Sequence, residues 1–132
     1  MGLSRYSNKF HISRAVLESV AYQSYELLEA MENDTGLKFS KVNVDGGMIA
    51  NSMLMQFQSD IFNKEVVSQK IKEITALGAA AASYIYTNNL SLETMESFVS
   101  RSSTWSPNIE SSLRDKYMQK WSKAISKAKE WI

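Results

Sequence analysis

The sequence predicts an α/β fold, and three observations carry that expectation. The first is a change of hydrophobic period within Val42–Asp60, VNVDGGMIANSMLMQFQSD. Val42 and Val44 alternate with polar residues, as in a strand with one buried face, whereas Ile49, Met53, Leu54, Phe57 and Ile61 fall on one helical stripe. The second is Glu65–Ser68, EVVS, which reads as another short strand and so makes strands alternate with helices, the pattern of parallel α/β units. The third is the breadth of the apolar surface on the first helix, which implies a helix packed on a sheet and partly covered by something else.

In chain order, residues 1–10 are polar and irregular. His11 to about Glu32 is strongly helical: Ile12, Val16, Val20, Leu27 and Met31 form one stripe, and Leu17, Ala21 and Leu28 form a second beside it. Asn33, Asp34, Thr35 and Gly36 end this helix, with Gly36 suited to a left-handed cap. Leu37–Lys41 leads into the Val42–Asp45 strand, and a helix over Ile49–Phe62 follows. Thr75–Tyr86, TALGAAAASYIY, is a helix of small residues of the kind that packs tightly on a sheet, and close packing is the preferred reading of Gly78. Asn88–Asn89 breaks the chain, Ser91 caps a short helix to about Val99, and the polar Ser100–Pro107 reads as a loop. The last helix, about Glu110–Trp131, carries Leu113, Tyr117, Trp121, Ile125 and Ala128 on one face, with its basic residues mostly outside that stripe. The order is helix, strand, helix, strand, helix, then a C-terminal helix. Two short strands make a poor sheet by themselves, so the pattern points to a missing neighbour.

With 132 residues, 44% hydrophobic and 22% charged, the chain is one domain at most and has ordinary globular composition. A net charge of +1 gives no general attraction to nucleic acid or to an anionic membrane, and the Lys-rich last helix reads as a solvated face. The absence of Cys and the single His rule out disulfides and thiol chemistry and leave too few ligands for a Cys/His zinc site. MGLSRYSNKF has no apolar core of a secretory signal, and Ala76–Tyr86 is too short to cross a bilayer. These features lead us to expect a soluble, cytoplasmic chain.

The turn at Asp45, Gly46 and Gly47 is the candidate site. A glycine pair at the end of a strand, opening a helix, serves either as a plain tight turn or as a surface on which a flat ligand lies against backbone. Asp45 either braces that turn or caps the helix, or it takes part in chemistry, and Asn51 either caps the helix or turns its amide to a ligand. The chain contains neither GxxxxGK[ST] nor GxGxxG, and no HExxH or GxSxG. His11 opens a helix among apolar neighbours and suits capping or packing better than base catalysis. Met48, Met53 and Met55 read as core filler rather than metal ligands, so no catalytic or metal-binding residue is assigned.

GLSRYSNKFHISRAVLE (Gly2–Glu18) resembles the second signature of the FGGY carbohydrate kinases: a Gly-Leu pair, a seven-residue gap, then His-Ile-x-x-Ala-Val-Leu-Glu. The likeness continues through AVLESVAYQSYELLEAM, VDGGMIANSMLMQFQSDI and EITALGAA, and the tail keeps SPNIE and KW-x-KAI-x-KA. Together these resemble the C-terminal quarter of glycerol kinases over nearly the whole chain. The resemblance implies the later part of an actin-like, ribonuclease-H-like ATPase domain, with residues 1–132 forming part of the FGGY C-terminal domain. It also implies transfer of the γ-phosphoryl of Mg-ATP to glycerol in the full-length enzyme. By the same resemblance Gly47 and Asn51 contact the adenosine moiety, and Asp45 and Gly46 shape the turn.

The family's glycerol site, phosphate-binding segment and catalytic aspartate lie upstream of anything in this sequence. The chain is therefore expected to be a C-terminal fragment of a glycerol kinase, inactive alone, with ATP or ADP as its ligand and glycerol bound only with the N-terminal domain. One departure from the family pattern is ASYIYTNN (Ala82–Asn89), which stands where a glycine-containing turn is usual. The alternative reading is a non-catalytic nucleotide-binding or interaction module that associates with another chain or forms an oligomer through its open sheet edge. A basic helical nucleic-acid binder ranks last.

Overall fold

Local signals set the first helix. In the computed structural model, which describes residues 2–71, 73–98 and 101–129, α1 spans Lys9–Thr35. Asn8 is its N-cap: Asn8 Oδ1 accepts from the N–H groups of Phe10 (3.0 Å) and His11 (3.2 Å), and His11 Nδ1 accepts from the Asn8 N–H at 3.2 Å. The capping role read for His11 is thus realised, and the helix starts two residues before the expected His11. Gly36 closes it in the left-handed conformation, φ +70°.

After β1 (Lys41–Val44), a single 3₁₀ turn over Gly47–Ala50 precedes α2 (Ser52–Phe62), so the helix expected from Ile49 begins three residues later. β2 (Glu65–Gln69) follows and pairs parallel to β1, Val42 opposite Val66 and Val44 opposite Ser68. α3 (Ile74–Thr87), a 3₁₀ stretch over Leu92–Phe98, β3 (Arg101–Trp105) and α4 (Ser111–Ala128) complete the order. The ends expected at Val99 and Trp131 lie outside the described residues.

β3 corrects the expected loop over Ser100–Pro107. It pairs antiparallel to β2 with a bulge at Val67–Gln69, giving a three-stranded sheet of order β1-β2-β3. RSSTW has no apolar alternation. The strand exists because the ladder to β2 and a helix behind it satisfy its backbone. The Ser68 Oγ accepts from the Ser103 N–H (3.3 Å), and the Ser59 Oγ lies 2.9 Å from the Trp105 carbonyl and 2.8 Å from that of Lys64. Asp60 Oδ1 accepts from the Asn108 N–H (2.7 Å) and from Gln56 Nε2 (3.0 Å), which also donates to the Ser106 carbonyl (2.8 Å).

The core lies between α1, α2 and the sheet: Ala21, Leu54, Met55, Ile61, Phe62 and Val66 are buried, and Val42 and Val44 pack against them as their alternation predicts. α2 is enclosed on more sides than one stripe requires. Met55 is buried while Met53 and Met48 stand half exposed, so only one of the three methionines fills the core. α4 brings Trp121 onto α1, stacked on Tyr22 (4.9 Å between centroids) and donating from its indole nitrogen to Glu26 at 2.9 Å.

Two expectations about packing change. Gly78 has no heavy atom within 4 Å of where a Cβ would stand, so among the described residues α3 makes no close approach there. In α1 the stripe of Leu17, Ala21 and Leu28 faces the core, but Ile12, Val16, Leu27 and Met31 remain largely exposed.

Candidate functional site

The connection from β1 to α2 carries all four candidate residues, and its geometry distinguishes them. Asp45 is exposed, and its carboxylate makes no hydrogen bond among the described residues, so neither the bracing nor the helix-capping role is formed. Gly46 sits at φ +87°, ψ 179°, a region essentially restricted to glycine, and its carbonyl accepts from the Ile49 N–H at 3.3 Å. The backbone therefore requires glycine at 46. It does not require one at 47: Gly47 has no positive φ, and a Cβ there would meet nothing within 4 Å. The second glycine leaves bare backbone facing open space.

Asn51 lies at the other end of the 3₁₀ turn rather than inside a helix. It is the N-cap of α2, with extended backbone (φ −92°, ψ 90°) and Oδ1 accepting from the Leu54 N–H at 3.1 Å. The capping alternative is thus what the fold uses. The cap occupies only the oxygen, and the amide nitrogen of Asn51 has no partner among the described residues.

A second cluster, invisible to periodicity, lies at the far end of α1. Glu32 Oε1 meets Lys64 Nζ at 2.8 Å and accepts from the Phe39 N–H at 2.9 Å, while Oε2 meets Lys38 Nζ at 3.0 Å. The bond from Lys64 first, then those from Phe39 and Lys38, hold the carboxyl at about 2, well below the ordinary glutamate value of 4.5. Lys64 also donates to the Phe39 carbonyl (2.8 Å), so the cluster ties the end of α1 to the segments entering both β1 and β2. An open polar cleft of about 330 Å³ lies here, lined also by Arg114 and Asp115, which pair with each other at 3.2 Å. Its charges are mutually matched, which makes it a structural clamp. The signal in the sequence was a lone glutamate near the end of an amphipathic helix, indistinguishable from its solvated neighbours.

Among the described residues no group of three or more His, Cys, Asp or Glu is placed to hold a metal ion, and no helix is long and apolar enough to cross a membrane.

Comparison with known proteins places this arrangement. The model of the FGGY family of carbohydrate kinases, C-terminal domain, matches residues 1–85. Glycerol kinase from Acidiphilium cryptum is 42% identical over 132 residues, covering 99% of this chain and 26% of that protein. Glycerol kinase from Clostridium perfringens is 46% identical over 132 residues, with the same coverage. The crystal structure of Plasmodium falciparum glycerol kinase with ADP superposes on 100% of this chain and 27% of its own, with a TM-score of 0.87 at 29% identity. This chain thus spans about a quarter of the length of these relatives. The α/β topology seen here is the later part of the actin-like ATPase fold that such kinases share. On the family-model match and the superposition over its whole length, the chain belongs to the FGGY family of carbohydrate kinases, within their C-terminal domain.

Proposed function

We propose that this chain supplies the adenosine-binding element of an ATP-dependent glycerol kinase. In this reading Gly47 and Asn51 contact the adenosine moiety, Asp45 and Gly46 shape the turn, and residues 1–132 form part of one FGGY C-terminal domain. The observation that carries it is the contrast between the two glycines: Gly46 is explained by its backbone, whereas Gly47 is explained by nothing inside the chain. Bare backbone beside an unused amide donor suits a flat, hydrogen-bonding ligand. The similarity to a kinase structure solved with ADP supports a nucleoside diphosphate or triphosphate as that ligand.

In the complete cytoplasmic kinase the γ-phosphoryl of Mg-ATP passes to a glycerol hydroxyl, giving glycerol 3-phosphate and ADP. That step depends on held phosphates, a metal and a group orienting the nucleophile. This chain provides none of them and is inactive alone; ATP-dependent phosphorylation of glycerol by the pure chain would refute that part. A second reading, a non-catalytic module that associates with another chain, is favoured by the exposed apolar stripe of α1.

A thermal melt with and without millimolar Mg-ADP tests the nucleotide site. A ligand that binds only the folded state raises the midpoint, by the equivalent of about 2.7 kcal/mol at a hundredfold excess over Kd. Gly47→Val removes the rise and leaves the ligand-free midpoint in place, because the new side chain points into open space. Asn51→Ser keeps the helix cap and loses the amide, so it too weakens the rise. Asn51→Ala is less useful, since it also costs about 1 kcal/mol of capping. An unchanged midpoint for the wild-type chain sinks the reading.

A further inference from the structure

Met48 lies inside the proposed nucleotide-binding turn but takes no part in the core. It is the second residue of the 3₁₀ turn over Gly47–Ala50 and is 48% exposed, whereas Met55 on α2 is 3% exposed. The next residue, Ile49, packs against the core, so the turn sends one side chain inward and leaves its neighbour in solvent. Met31 and Met53 are exposed to a similar degree but stand elsewhere. Met31 is near the C-terminal end of α1, and Met53 lines a small hollow with Arg14, Leu17 and Phe57.

The turn couples Met48 to Asn51. The Asn51 N–H donates to the Met48 carbonyl at 3.0 Å, and the i, i+3 spacing of a 3₁₀ turn brings the two side chains to the same side. Asn51 is held by its side-chain oxygen, which accepts from the Leu54 N–H at 3.1 Å. Its orientation is therefore fixed, and the amide nitrogen is the end left over, with no partner among the described residues.

Sulfur chemistry in this chain falls to methionine, because the 132 residues include seven Met and no Cys. Hydrogen peroxide oxidises a thioether in one two-electron step. The sulfur attacks one peroxide oxygen, the S–O bond forms as the O–O bond breaks, and the departing hydroxide takes the remaining proton and leaves as water. The product is a polar, chiral sulfoxide, whose oxygen is a hydrogen-bond acceptor. The thioether accepts only weakly and leaves the Asn51 amide free. A sulfoxide oxygen on a flexible side chain beside that amide competes for it.

We propose that Met48 is an oxidation-sensitive switch of the nucleotide-binding turn: its sulfoxide oxygen accepts from the Asn51 amide and withdraws the donor that the adenosine moiety uses. Reduction by a methionine sulfoxide reductase restores the thioether and frees the amide again. The proposal rests on the nucleotide reading above and names a regulation of that same site. Oxidation of the equally exposed Met53 and Met31 has no such consequence. Met53 follows Asn51 by two residues, a spacing at which helical side chains do not face each other, and Met31 lies on another element.

The test treats the pure chain with hydrogen peroxide and locates the oxidised methionines by peptide mass spectrometry. Three results are expected: a sulfoxide at Met48, a downfield move of the Asn51 side-chain amide in proton–nitrogen correlation NMR, and weaker binding of Mg-ADP in titration calorimetry. The amide signal is assigned by its loss in Asn51→Ser, and the affinity falls about tenfold, the scale of one polar contact. Sulfoxide reductase reverses all three. Met48→Leu keeps Mg-ADP binding and loses the peroxide sensitivity, whereas Met53→Leu keeps both. The NMR measurement needs no nucleotide and decides the matter even if Met48→Leu binds poorly. The proposal is overturned if Met48 stays reduced while Met31 and Met53 are oxidised, if the Asn51 amide does not move, or if Met48→Leu remains peroxide-sensitive. An untreated chain that binds no Mg-ADP refutes the adenosine reading and the switch with it. An untreated chain that binds, and binds equally well with Met48 oxidised, refutes the switch alone.

Discussion

α1 and α2 lie side by side, and they reverse the usual relation between polarity and burial. α2 hides Ser59 completely and leaves Asp60 only 7% exposed, while α1 shows solvent 60% of Val16 and 64% of Leu27. The difference lies in what stands next to each helix. Behind α2, β3 and the following segment bring carbonyl and N–H groups to meet Gln56, Ser59 and Asp60, so polar side chains enter the interior with partners. No described element is packed over the exposed stripe of α1, so leucine and valine remain in water. Burial in this chain reports the presence of a neighbour more faithfully than it reports side-chain hydrophobicity.

The largest test of this contrast compares one apolar truncation on each helix. Ile61→Ala, in the fully buried α2 position, is expected to cost about 2–5 kcal/mol in denaturant unfolding, through lost transfer energy and the cavity left behind. Leu27→Ala on the open side of α1 stays within about 0.5 kcal/mol. Equal losses would mean that the α1 stripe is covered in solution by some route not seen here. The next test addresses the buried polar groups. Asp60→Ala strands the Asn108 N–H and one contact of Gln56, and about 1–3 kcal/mol of destabilisation follows. A neutral result would show that Asp60 is not needed to hold the segment after β3.

The smallest effect concerns the clamp at Glu32, where pH is the probe. Its folded value of about 2 lies below the ordinary 4.5, so its contribution to stability is present above 4.5 and is lost as pH falls toward 2. Melting midpoints measured across that window should fall more steeply for the wild-type chain than for Glu32→Gln, which should itself melt several degrees lower at neutral pH. Parallel curves would remove Glu32 from the pH response.

Much of the fold was legible from spacing. The alternation of Val42 and Val44, the left-handed cap at Gly36 and the core-facing stripe of Leu17, Ala21 and Leu28 on α1 appear where the residues indicate. The strand β3 was not legible, because Arg101–Trp105 is polar and its pairing partners are some 35 residues away in β2. Nor was the choice of Met55 over Met53 for the core: Met53 lies on the expected stripe and Met55 beside it, yet the position of the sheet buries Met55. At the candidate site the DGG turn was visible. That Gly46 is demanded by its dihedral angles while Gly47 is not became visible only with the backbone in place.

The sequence by itself determined the caps, the turns and the period of each segment, and the motifs by which the family is read. The capping box of Asn8 and His11, the Gly36 terminus and the Asn51 cap each involve groups within four residues of one another, and contacts that short are written locally. Tertiary structure alone decided which polar side chains are buried, where the third strand lies and which apolar face stays open. Ser59 meets Trp105, Asp60 meets Asn108 and Trp121 meets Glu26 across 46, 48 and 95 residues. At such separations a residue's surroundings depend on where the whole chain runs, and no local spacing specifies them.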